Sequence, residues 1–249
     1  MTTLTLSSRR IFWTLFLISF LVYCLDLGIY YGHWIHDKDL SELFDITLEA
    51  NLPTWFSSAQ FVVTGLVAWL IRKQSQSMGN SRVAMVWLWI ALFFLYDGID
   101  DAAQIHERMG TAFGHLAREY AQNSTLANKV LHYPSYYWQL CLGPFFVGFG
   151  LYMAYFLNRE LSFRLKIVFL SAMVCYTCKI GLDVIEGASR LEFFSVPTGL
   201  TFKEAQHLFR ATEELTKMLG TTLILGTFLE HLRLLVEQAA HSFELRLGA

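Results

Sequence analysis

The chain has 249 residues, 16% charged and 54% hydrophobic, with a formal net charge of -2. Its mean hydropathy is +0.39. A soluble domain carries about a quarter charged residues, so the composition excludes a soluble globular protein and indicates one embedded in lipid. The near-neutral charge, with no basic stripe outside short loops, excludes nucleic acid as a partner.

The apolar residues gather into about six segments, near 11–31, 53–71, 83–104, 135–157, 165–187 and 205–236. Each approaches the ~20 residues a helix needs to cross ~30 Å of hydrocarbon. They are continuous runs, not the alternating stretches of about ten residues that a barrel requires. The expected fold is all-α: a polytopic membrane protein with about six transmembrane helices in one bundle, a single domain over 1–249. No internal repeat or low-complexity tract divides it.

The first segment follows Arg9 and Arg10, is longer than a signal-peptide apolar region, contains Asp26, and ends in "YYGHW" without a small-x-small cleavage site. It reads as a retained signal anchor, with no lipidation signal and no detachable soluble domain. The loop after it, "HDKDLSELFDITLEAN", sets Asp37, Asp39, Glu42, Asp45 and Glu49 against one lysine. Basic residues fall on the opposite side: Arg9 and Arg10, then Arg72, Lys73 and Arg82, then Arg159, Arg164 and Lys166, then Arg233 and Arg246. Short loops rich in Lys and Arg face the cytoplasm, which puts both termini there. Trp13 and Trp69 then lie at inner ends and Trp34, Trp55 and Trp138 at outer ends, where amphipathic rings prefer the interface. The expected location is a bacterial inner membrane, multi-pass, with lipids and a further membrane protein as partners.

The third segment continues into "YDGIDDAAQIHERMG" from Tyr96 to Gly110. On an uninterrupted helix Asp97, Asp100, Asp101, Gln104 and Arg108 share one face, with Glu107 at its edge and His106 nearly opposite. Either the helix is disturbed near Gly98, or the aspartates and the histidine serve different neighbours. Three aspartates in five positions repel one another without a cation or a proton to share. The competing reading is a solvated helix extension paired with Arg108 and Arg118.

In the fifth segment Lys179, Asp183 and Glu186 share a stripe. Cys175 and Cys178 form a C-x-x-C with no second pair nearby, so they read as small apolar helix residues, and no disulfide is expected of Cys24 or Cys141 either. In the sixth, "TFKE" from Thr201 to Glu204 is a capping box. The overlapping "EAQH" is a Glu-x-x-His of the kind that presents a carboxylate and an imidazole to a two-metal centre, but a full centre needs two such motifs. Glu213 and Lys217 pair at i,i+4, and at least one of Glu213 and Glu214 must face inward. His33 and His36 form an H-x-x-H near the end of the first segment.

Ionisable groups at membrane depth are costly unless paired, hydrated or ligating, so all of these are site candidates. The reading assigns metal ligation to Asp97, Asp100, His106, Glu186, His207, Glu213 and Glu214, and catalytic roles to Asp101, Glu107 and Asp183. Mixed oxygen and imidazole donors suit a divalent Zn, Mn or Fe ion, which would polarise a lipid-like substrate entering from the leaflet. Two other readings stand beside this metal-dependent enzyme: an accessory subunit of a membrane complex, and a proton- or cation-coupled carrier. A bis-histidine haem drawing on His33, His106, His132 or His207 is a further possibility. P-loop, Rossmann, H-E-x-x-H and G-x-S-x-G motifs are all lacking.

Overall fold

The computed structural model describes residues 8–120, 124–133, 135–187 and 199–247, without the side chains of 242–247. Pro134 and Pro197, expected in loops, lie outside the described residues, as does the side chain of Arg246. Among the described residues every regular element is a helix: α1 (Ser8–Tyr30), α2 (Lys38–Phe44), α3 (Leu52–Ser77), α4 (Ser81–Ala103), α5 (Ile105–Tyr120), α6 (Thr125–Leu131), α7 (Trp138–Cys141), α8 (Gly143–Glu160), α9 (Phe163–Gly187) and α10 (Phe202–Leu247).

Five of these, α1, α3, α4, α9 and α10, are long and apolar enough to cross a membrane, and the protein is an all-α polytopic membrane bundle. The expected fourth span is built differently. Its first part bends through the four residues of α7, and α8 has 18 residues ending in the polar Asn158, Arg159 and Glu160. Pro144 stands in the first turn of α8, where its missing N–H leaves no hydrogen bond unmade.

α10 is the central post, packed against α9, α3 and α1, while α3 and α4 form a hairpin. Asn51 caps α3 by accepting from the Thr54 N–H at 3.1 Å. The hairpin closes through Gly79, whose φ of 83° lies in the left-handed region. Near the other end, the α3 and α4 backbones approach at Gly98, where a Cβ would stand 3.1 Å from the Ser58 carbonyl oxygen. The Ser58 hydroxyl donates to the Gly98 carbonyl at 2.5 Å, the small-residue contact that lets helices pack closely in lipid.

The interior has two layers. Trp87, Ile90, Phe94, Leu157, Ile224, Leu225 and Phe228 form an apolar core at most 1% exposed, with Trp87 and Phe228 edge-to-face at 5.0 Å. Toward the end that carries the acidic α1–α3 connection, the helix contacts turn polar: Gln60 donates to Thr222, Tyr176 meets Thr221, and Ser57 meets Asp101. The charged groups expected along one leaflet gather at this acidic end.

Candidate metal centre

The acidic "YDGIDDAAQIHERMG" stretch is not one helix. Gln104 adopts φ 55° and ψ 39°, ending α4, and α5 starts at Ile105 in a new direction. The break lies six residues past Gly98, and it resolves the conflict of faces. His106 turns back so that its backbone N–H donates to Asp100 Oδ1 at 2.8 Å while its Nδ1 meets Oδ2 at 2.7 Å. Asp100 thus caps the first turn of α5, whose Gly110 and Gly114 pack against Trp138 and Tyr137.

The other candidates of this stretch go elsewhere. Asp101 accepts from the Lys217 ammonium at 2.6 Å and from the Ser57 hydroxyl, and Glu214 holds the same lysine from the preceding turn. Asp97 is half-buried one turn deeper, and Glu107 is exposed in the first turn of α5. Across the bundle, Glu213 pairs with Lys179 at 2.9 Å. Asp183 accepts from Gln139 at 2.8 Å, and Glu186 pairs with Arg210 at 2.6 Å while accepting from Tyr136 and Gln206. Lys217 is only 7% exposed, and its two carboxylates offset the cost of burying its charge. Asp101, Glu214, Glu213 and Glu186 each pair with a Lys or Arg, in a network that joins α3, α4, α9 and α10.

Among the described residues, His207 is the one proposed metal ligand that falls in a group of three clustered donor side chains. Its Nε2 lies 3.4 Å from Asp26 Oδ1 on α1 and 3.7 Å from Asp45 Oδ1 in the α2–α3 loop. Donor atoms of all three residues fall within 4.8 Å of one another. Asp26 is 1% exposed and His207 is 6% exposed. Asp26 Oδ2 and both ring nitrogens of His207 are buried without a hydrogen-bond partner. Oxygen and nitrogen donors about 2.0–2.2 Å from a tetrahedral ion stand about 3.3–3.6 Å apart, close to the 3.4 and 3.7 Å from His207 Nε2 to the two aspartates.

Each donor is held by its surroundings. The Ile46 N–H donates to Asp26 Oδ1 at 3.0 Å, tying the loop to α1. Thr47 donates to Asp45 Oδ1 from its N–H at 2.9 Å and its hydroxyl at 2.7 Å. Partial burial pushes the Asp45 carboxyl up, but the His207 imidazole and the Thr47 donors outweigh it and hold the group below its usual range, ready as an anion. Tyr30 stacks on the His207 ring with centroids 3.5 Å apart, and Tyr31 meets it edge-on at 5.7 Å. The Tyr31 hydroxyl donates to the Glu204 carbonyl at 2.7 Å.

The capping box forms as its spacing implies. Glu204 Oε2 accepts from the Thr201 N–H and hydroxyl at 2.7 Å each, and Thr201 Oγ1 accepts from the Glu204 N–H at 3.3 Å. The Glu204 carboxylate is therefore turned to the helix end, and only the histidine of "EAQH" faces the donors. The other histidines are dispersed: His106 is on Asp100, exposed His132 is on the Asn128 carbonyl, and His33 lines a cavity of about 490 Å³ together with Asp26 and Asp45.

In the sequence Asp26 lies near the end of its span and Asp45 in an acidic loop, and neither is among the expected ligands. The available signal was an aspartate alone in the most apolar span, which lacks a partner on its own helix.

The fold and this cluster define an integral membrane helical bundle with a buried Asp–Asp–His donor set at one end. The chain belongs to the DUF8692 family, described as a domain of unknown function, which matches residues 11–232. No curated protein and no solved structure matches it.

Proposed function

We propose that the protein is a metal-dependent enzyme of the bacterial inner membrane. In this reading Asp26, Asp45 and His207 hold a divalent Zn, Mn or Fe ion at the outer end of the bundle, beside a cavity open to a lipid-like substrate. The observation that carries it is a fully buried carboxylate with one oxygen unpartnered, set 3.4 Å from the Nε2 of a buried imidazole whose Nδ1 has no hydrogen-bond partner. Leaving such groups unsatisfied costs about 1–3 kcal/mol each, a cost that ligation removes. Two carboxylates and one imidazole suit these ions, and three protein ligands leave coordination positions open, as catalytic sites require.

The bound ion would supply a Lewis acid and a water of lowered pKa. The chain's own residues set the frame for it. Asp26 and Asp45 balance the ion's charge, Tyr30 and Tyr31 fix the imidazole plane, and the Ile46 and Thr47 donors orient the carboxylates. The outward orientation rests on the loop asymmetry in Lys and Arg. Against the carrier reading, the buried apolar core around Trp87, Phe94 and Phe228 lies between the polar acidic end and the basic one.

Elemental mass spectrometry on detergent-purified protein tests the proposal. About one equivalent of Zn, Mn or Fe in the wild type is expected, retained in Glu213→Gln and lost in His207→Ala. A wild type without stoichiometric metal after incubation with each ion would overturn it.

A further inference from the structure

We propose that the cavity beside the cluster takes a phosphate group, with Lys203 and His33 as its contacts and the ion as its third anchor. This inference rests on the metal reading and names the substrate chemistry of that same site.

The charges around the cavity lead to it. Asp26 and Asp45 together balance one divalent ion, so the loaded cluster carries little charge of its own. Of the other lining groups, Glu204 has its carboxylate folded back onto Thr201, and the Ser41 hydroxyl donates to the Lys38 carbonyl at 2.9 Å. The nitrogen-bearing side chains among the lining groups are Lys203, exposed at the start of α10 and without an ion pair among the described residues, and His33. Two nitrogen donors lining the same cavity as an ion with open positions match a tetrahedral oxyanion, which offers several acceptors at once. A neutral sugar or an ammonium headgroup would leave Lys203 unmatched.

The backbone supports the role of His33. It has a φ of 50°, one of three non-glycine residues in the left-handed region among those described. Such conformations persist where the surroundings impose them and cluster at ligand clamps. Here the clamp is the Trp34 indole, which lies on the Gly28 and Gly32 backbone so closely that a Cβ on either glycine would collide with it. Fixing Trp34 fixes the turn that presents His33 to the cavity. The indole is itself 68% exposed, and Leu40 and Leu43 are exposed nearby on α2, an apolar rim suited to acyl chains.

The test uses the full chain in detergent loaded with one equivalent of Mn²⁺, and the ³¹P line width of added short-chain phosphatidylglycerol. Paramagnetic broadening that saturates with protein is expected, unaffected by a short-chain diacylglycerol competitor. Lys203→Met should keep its manganese and bind the phosphatidylglycerol about tenfold more weakly. In a parallel arm with inorganic phosphate, equal broadening would support the site with a soluble phosphate as its source, and much weaker broadening would support a lipid headgroup. A wild type that holds manganese but broadens neither signal, or a Lys203→Met chain that binds as tightly as wild type, would overturn the inference and leave the metal reading intact. A wild type that takes up no manganese would fail the metal reading first, before any phosphate is added.

Discussion

Replacing Asp26 by Asn separates the two roles its carboxylate can have. The amide oxygen still accepts from the Ile46 N–H, now 3.0 Å from Oδ1, so the tie between α1 and the α2–α3 loop is kept while the charge is lost. Without metal, a protonated His207 at 3.4 Å would be attracted by about 5 kcal/mol at an effective dielectric of about 20, before the desolvation of both groups is subtracted. With metal at a hundred times its Kd, the wild type gains about 2.7 kcal/mol. For a chain of this size that raises Tm by about 5–11 °C, at about 2–4 °C per kcal/mol. Removing one charged ligand of three weakens binding at least about 100-fold, which leaves about 0.4 kcal/mol at the same ion concentration and a rise of only about 1–2 °C. Chelator-treated protein and its Asp26→Asn variant, melted in detergent with and without Mn²⁺ or Zn²⁺, give the comparison directly. An equal metal-induced rise in both proteins, or none in the wild type, would refute the reasoning.

Lys217→Met strands Asp101 and Glu214 in the interior and should destabilise the protein by on the order of 3–5 kcal/mol, with Lys217→Met/Asp101→Asn recovering a large part; unfolding in mixed detergent followed by circular dichroism measures both. A loss under about 1 kcal/mol in the single variant would show that the network contributes little. Glu49 is pushed up to about 7 by partial desolvation, with Lys217 opposing and Glu214, Asp101 and Glu107 reinforcing. Its contribution to stability is therefore complete below its ordinary value of about 4.5 and is lost as the pH rises through 7. A protonated carboxyl band that titrates near neutrality in infrared difference spectra should vanish in Glu49→Gln. Gly110→Leu should undock α5, because a Cβ there would stand 2.7 Å from the Trp138 backbone nitrogen; faster proteolysis of the α5–α6 segment would report it, and unchanged protection would count against the packing.

What the sequence determined by itself was what depends on neighbours along the chain. Hydropathy over a window of about 20 residues locates the spans, because a helix in lipid must satisfy its own backbone and present apolar side chains. The Thr201–Glu204 capping box is legible because both partners lie within one turn. The clustering of ionisable groups at one membrane end follows from span boundaries alone. Tertiary structure decided the rest. Helical periodicity set His106 against the aspartates, and one residue in the left-handed region, Gln104, turned it back onto Asp100. Periodicity ranks faces on one helix but is silent on which faces meet, since that depends on the rotation and depth at which helices pack. That Asp101, expected as a catalytic group, and Glu214, expected as a ligand, share Lys217 is visible only in the packed bundle, and Asp26 and Asp45 went unnamed until α1, a loop and α10 brought them to His207.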